Sequence, residues 1–299
     1  MPISQSARLL VIVAMLFFAT TASALELAAP YVPTAPTVVD RMLQVAKVGP
    51  GDYVIDLGSG DGRINITAAR KYGATGLGVD VDAELVAKAN AAARAAGVAD
   101  RVLFVERDLF ETDISQATVV TIYLLNRALR KLRPKLLAEL RPGTRIVSHA
   151  AGMDDWKPER FEMMDVPDKV RPDAPGRTYI YLWVVPAQAA GTWRWTAPVG
   201  GRAQDYELVL EQKFQMLSGA VRAGGREAPV ENAKLDGERI ALEFTLPVDG
   251  RPVRHRLSGR VRGEAITGTV SFAGERVAGE AEWGAERVAR PVAEAEAAR

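Results

Sequence analysis

Apolar positions in the first half of the chain come in two alternating kinds of run. Tyr53 to Leu57, Gly76 to Val79, Val102 to Val105, Thr118 to Leu124 and Thr144 to Ser148 are nearly continuous in apolar and β-branched residues, as strands buried on both faces of a parallel sheet are. Between them the spacing changes to that of amphipathic helices, at Ile64 to Lys71, Ala83 to Ala96 and Leu125 to Leu140. Another such helix, Thr37 to Val48, precedes the first strand, with Val38, Val39, Met42, Leu43, Val45 and Ala46 on or near one face. Asp82 is placed to cap the Ala83 helix and Gly97 to close it. Pro134 predicts a break, or a new first turn, inside the last helix. Phe161 to Val166 and Thr178 to Val185 supply two more strands, joined by a proline-rich loop too short for a crossover helix. Alternation of this kind builds an α/β sheet with helices on both faces, ending in an antiparallel pair.

Past Pro186 to Gly191 the period drops to two. Tyr206, Leu208, Leu210, Gln212, Phe214 and Met216 alternate with more polar neighbours, as do Ile240 to Leu246, His255 to Val261 and Val277 to Trp283. Asp236-Gly237, Asp249-Gly250 and Arg262-Gly263 punctuate them at the spacing of an antiparallel meander. The expected organisation is therefore a targeting segment over 1–24, an α/β domain over 25–186, a linker over 187–191, an all-β domain (sandwich or small barrel) over 192–289 and a frayed tail over 290–299. The β-domain, with its own alternation and turns, is expected to fold alone. The targeting reading rests on Arg8, the apolar run Leu9 to Ala19 and the small residues Ala22-Ser23-Ala24. It implies a periplasmic or secreted protein, with a membrane anchor only if that signal stays uncleaved.

Composition narrows the chemistry. A formal net charge of +1 argues against a surface that seeks nucleic acid. The absence of cysteine excludes disulfides and thiolate metal sites, and two histidines, His149 and His255, argue against a histidine-built metal centre.

The candidate chemistry gathers at strand ends. The first strand ends in Asp56 and runs into Gly58-Ser59-Gly60-Asp61-Gly62 before a helix, a turn that leaves room for a ligand and points free N–H groups at it. Asp80 ends the second strand, where an acid can hold both hydroxyls of a ribose. Asp108 follows the third.

This ordered set resembles the successive motifs of class I S-adenosylmethionine (SAM) dependent methyltransferases over roughly residues 31 to 186. The resemblance implies a Rossmann-like seven-stranded sheet with SAM as cofactor. It places the Asp56, Gly58, Ser59 and Gly60 positions around the methionine part, Asp80 on the ribose and Asp108 near the adenine. Residues after the fourth strand usually line the acceptor, which makes Tyr123 and Asn126 the catalytic candidates. Amino-group methyltransferases often carry an Asp/Asn-Pro-Pro-aromatic tetrad there, and this chain does not. Tyr31-Val32-Pro33-Thr34, Thr121 to Leu125 and Lys131 to Leu136 are similar to the small protein-lysine methyltransferases, a group that includes mitochondrial enzymes. That likeness implies a protein lysine as acceptor. A small-molecule acceptor, or an exported binding protein that keeps the fold without turnover, are the alternatives.

Overall fold

A computed structural model describes residues 31–291. The expected targeting segment and most of the expected tail lie outside the described residues. A lead-in, Tyr31 to Ala35, precedes α1 (Pro36–Val45). The α/β part then runs β1 (Tyr53–Leu57), α2 (Arg63–Tyr72), β2 (Thr75–Asp80), α3 (Ala83–Ala95), β3 (Val102–Glu106), β4 (Val119–Ile122), α4 (Asn126–Glu139), β5 (Arg145–His149), β6 (Arg160–Asp165) and β7 (Arg177–Val184). The strands form one sheet in the order β3-β2-β1-β4-β5-β7-β6, parallel except for β7, which runs antiparallel to both neighbours.

The strand periodicity divides the core between the two faces. Val54, Val119 and Val147 face α1 and α2, while Ile55, Leu57, Val120, Ile122 and Ile146 face α4. Asp82 caps α3 as expected, its Oδ1 accepting from the Glu84 and Leu85 N–H groups at 2.9 and 3.2 Å. Pro134 does not break α4: the helix runs through it. The carbonyl that loses its partner belongs to Arg130, on the exposed side of the helix, where it stays open to solvent.

Residues 150–159 join β5 to β6 without a helix. Trp156, fully buried, covers part of the sheet face instead, and its carbonyl accepts from Trp183 Nε1 at 2.8 Å. A row of rings continues from it: Trp183 to Tyr181 (5.6 Å), Tyr181 to Phe161 (5.0 Å) and Phe161 to Tyr179 (5.6 Å).

The second half is a single antiparallel sheet of nine strands: β8 (Gly191–Val199), β9 (Arg202–Lys213), β10 (Met216–Ala223), β11 (Arg226–Pro229), β12 (Glu231–Asp236), β13 (Arg239–Val248), β14 (Arg251–Arg262), β15 (Ala265–Gly274) and β16 (Ala278–Ala289). Its order is β11-β10-β9-β8-β16-β15-β14-β13-β12, so the two end strands are consecutive in sequence and the sheet curls almost into a barrel. Of the two expected all-β forms, the barrel is the one adopted. Trp193, Trp195, Tyr206, Phe244, His255, Phe272 and Trp283 fill its interior.

Residues 186–190 have no regular structure, yet Ala187 and Ala189 are buried in the barrel core. Gln212 receives the Ala189 and Ala190 N–H groups and donates to the Ala187 carbonyl. The connection is packed rather than slack. The barrel also touches the α/β part through the β9–β10 turn, where Phe214 stacks on Trp156 at 5.5 Å and Gln215 donates to the Lys157 carbonyl at 2.6 Å.

Candidate active site

The turn after β1 is built on left-handed backbone at Gly58, Gly60 and Gly62, with φ of 84°, 53° and 79°. At Gly62 a Cβ would stand 2.5 Å from the Phe104 ring, so the turn there needs glycine on both conformational and steric grounds. The turn is tied to the sheet by Gly58 and Ser59 N–H groups donating to the Val79 carbonyl.

The turn borders a cavity at the carboxyl ends of β1, β2, β3 and β4, which collects Asp56, Gly58, Ser59, Gly60, Asp80, Asp108 and Tyr123. This is the edge of an open parallel sheet where ligands bind. Of the sequence candidates only Asn126 is not among the lining residues; it opens α4, exposed.

Asp56 is 2% exposed and lies beside Thr121 of β4, whose hydroxyl donates to its Oδ1 at 2.6 Å. Its Oδ2 is buried with no partner, as is the Ser59 hydroxyl. Burial pushes the Asp56 carboxyl up to about 7 against the Thr121 bond, and the charges of Asp80 and Asp61 push the same way. Asp80 has a structural task as well. Its two oxygens accept from Gly60 N–H at 2.8 Å and Asp82 N–H at 3.1 Å, so it holds the glycine turn without capping α3. Asp108 Oδ1 accepts from Phe110 N–H at 2.8 Å, which brings the Phe110 ring to the cavity wall along with Leu85.

The lead-in closes the side opposite the sheet. Tyr31, Val32, Pro33 and Thr34 all line the cavity. Arg63 Nη1 donates to the Thr34 carbonyl at 2.7 Å while the same guanidinium grips Asp61 at 2.6 and 2.8 Å, and the Tyr31 hydroxyl bonds Asp61. Tyr31 lies so close over Gly60 that a Cβ there would stand 2.6 Å from its ring. The Tyr-Val-Pro-Thr run was legible as a motif, but its place over the glycine turn was not.

At the β4 end of the cavity, Tyr123 lies against His149 with ring centroids 3.9 Å apart. His149 is 7% exposed and bonds Thr178 Oγ1 at 2.8 Å and Thr34 Oγ1 at 3.4 Å. Burial lowers its pKa to about 4, so at neutral pH it is an uncharged imidazole that links the lead-in to β7. Burial raises the Tyr123 phenol, which stays protonated.

Residues 56–160 match the family model described as the ANTKMT methyltransferase domain. A protein-lysine N-methyltransferase of Saccharolobus islandicus is 47% identical over 140 residues, which cover 46% of this chain and 86% of the relative. The chain belongs to the class I SAM-dependent methyltransferases. Within them it stands close to the lysine-directed enzymes. The adenine nucleotide translocase lysine N-methyltransferase of Mus musculus is 34% identical over 134 residues, 45% of this chain, which spans little more than half (58%) of that relative's length. A solved structure of an RNA methyltransferase from Salinibacter ruber with S-adenosyl-L-homocysteine is 50% identical, with 52% of this chain and 95% of that one covered at a TM-score of 0.48.

The family's cofactor is SAM, and the residues present suit it. An orphaned carboxylate oxygen on Asp56 and the unpartnered Ser59 hydroxyl offer acceptors for an ammonium group. Asp80 and Asp108 stand one strand end apart beside the apolar Leu85 and Phe110. Among the described residues no group of three or more His, Asp or Glu side chains is placed to hold a metal.

Proposed function

We propose that this methyltransferase acts on the amino group of a protein lysine. The observation that carries the reading is the convergence of Asp56, Asp80, Asp108 and Tyr123 on one cavity, in a chain 47% identical to a lysine N-methyltransferase over its α/β part. In this reading Asp56 and Ser59 hold the amino-acid end of the cofactor, Asp80 its ribose and Asp108 the edge of its adenine. When bound, SAM supplies a methyl group already activated on a sulfonium sulfur. The protein's share is alignment and exclusion of water, which by themselves supply much of the rate in a two-reactant transfer. Tyr123, a protonated phenol on the cavity wall, offers the acceptor nitrogen a hydrogen bond, and its ring is steadied by His149. The amine must arrive without its extra proton so that its lone pair is free. Asn126, exposed at the start of α4, serves the approach of the acceptor from the rim.

Calorimetric titration of the full chain with S-adenosylhomocysteine tests the pocket, and transfer from labelled SAM to lysine-containing proteins of the parent cell tests the acceptor. Binding, with label incorporation lost when the acceptor's lysines are blocked before the reaction, is the expected pair of results. Label retained on a small molecule would replace the lysine reading. We also propose that the protein works outside the cytosol, on the strength of Arg8, the Leu9 to Ala19 run and Ala22-Ser23-Ala24. Terminal sequencing should find Leu25 first; Met1 on a cytosolic product overturns it.

A further inference from the structure

The interior of the barrel is not uniform along its axis. Positions of β9 in the inward-facing register read Leu210, Leu208, Tyr206, Gln204 and Arg202, passing from buried apolar groups to phenol, half-buried amide and, at the exposed rim, guanidinium. Its neighbour but one makes the same step, from the buried Ala228 to the exposed Arg226 of β11. Interior positions of a small barrel are ordinarily filled by apolar packing, so polar groups gathered at one end mark a place where the core gives way to something else. These side chains line a cavity of about 310 Å³, at the lower end of the roughly 300–1,000 Å³ of small-molecule sites.

Each wall of the cavity has a definite character. On the floor, His255 Nδ1 lies 3.0 Å from the Val253 carbonyl, which can only accept, so Nδ1 carries the proton. His255 Nε2 is then an acceptor, and the Tyr206 hydroxyl donates to it at 3.0 Å. Burial holds His255 down to about 4 and Tyr206 up to about 12, so this pair is uncharged at neutral pH. Val199, Leu246 and Val248 make the sides apolar. The lining charges are Arg202 and Arg226 against Asp249, two positive and one negative, a net +1. Asp249 lies 3.4 Å from Arg202, and Arg226 makes no ion pair among the described residues.

We propose that this end of the barrel binds a small organic anion, with a carboxylate or sulfonate head between Arg226 and Arg202 and a short apolar tail along Val199, Leu246 and Val248 toward Tyr206. A bare inorganic anion would leave the apolar walls unused, and a cation would meet two guanidinium groups at the rim. The site is separate from the methyltransferase cavity and shares no lining residue with it.

The test uses the full chain and two probes, octanoate and 1-anilinonaphthalene-8-sulfonate, in calorimetric and fluorescence titrations. Trp195, stacked on Tyr206 at 4.9 Å, reports on the floor through its emission. Saturable single-site binding of both probes is expected, with octylamine inert and S-adenosylhomocysteine failing to compete. The double variant Arg202→Gln/Arg226→Gln changes only exposed side chains, so its melting profile should match the wild type. Its affinity for octanoate should fall by about tenfold or more, roughly 1.4 kcal/mol at tenfold. Equal affinity in the double variant, as for a tail resting on the exposed Phe161–Met163–Tyr179 face, overturns the proposal. So does a folded wild type that saturates with neither probe.

Discussion

Asp56 shows how one side chain can be costly to the fold and useful to the site. Its buried carboxyl, held up near 7, binds an extra proton in the folded state between the ordinary carboxylate pKa and about 7. In the ligand-free protein it therefore takes stability away as pH rises through that window. Cofactor binding reverses the preference, because an ammonium group near Oδ2 favours the carboxylate. The proton must leave for the ligand to bind, so affinity for S-adenosylhomocysteine should fall as pH drops below about 7, by up to about tenfold per unit. Asp56→Asn should bind more weakly at pH 8 and lose that slope, measured by calorimetry across the pH range. A slope that survives in the variant would move the proton to another group.

At the scale of elements, the lead-in is the part whose importance exceeds its secondary structure. Four residues without a helix or a strand form one wall of the cavity, and Arg63, at the first position of α2, pins them through the Thr34 carbonyl. A hydrogen bond to a charged donor is worth roughly 1.5–3 kcal/mol. Arg63→Ala should weaken S-adenosylhomocysteine binding by about tenfold, while the melting temperature moves little because the sheet core is untouched. Amide hydrogen exchange should speed up over Tyr31 to Thr34 in the same variant. Unchanged exchange there would show that Pro33 and the Thr34–His149 contact hold the segment without Arg63.

Across the whole molecule, the barrel meets the α/β part at the two-residue β9–β10 turn and again where Gly237 lies against Gly143 and Val184. Phe214 sits at φ 55°, a left-handed conformation that a glycine would adopt more easily, and its ring lies between Trp156 and the Arg133 guanidinium. Lys213 adds an ion pair to Asp155 at 3.0 Å. The turn thus supports the 150–159 segment, which stands in place of a helix and begins next to His149. Phe214→Ala keeps the strained backbone and removes the ring, at a cost of about 1–3 kcal/mol. Scanning calorimetry should show the barrel and the α/β part melting closer together in the wild type than in the variant. Identical profiles would mean that the Phe214 ring does not couple the two parts.

The chain's own periodicity determined most of this architecture. Strands buried on both faces must be continuous in apolar residues, and strands with one wet face must alternate, so the change of period near Gly191 separates the two sheets before any contact is known. The acids at the ends of β1 and β2 and after β3 were legible for the same reason: a polar residue closing an apolar run can only be a strand end, and in a parallel sheet such ends share one edge. What the tertiary structure decided concerns partners distant in sequence. That Asp80 holds Gly60, that Tyr31 covers the glycine turn, that His149 carries Tyr123 and that Phe214 reaches Trp156 all depend on how segments pack, which no local pattern encodes. Pro134 stayed inside α4 because packing of Leu129, Leu132 and Leu136 against the sheet outweighs one lost hydrogen bond. The barrel likewise required closure: nine alternating strands suit a sandwich or a cylinder equally, and only the meeting of β10 and β11 with β12 and β13 chooses between them.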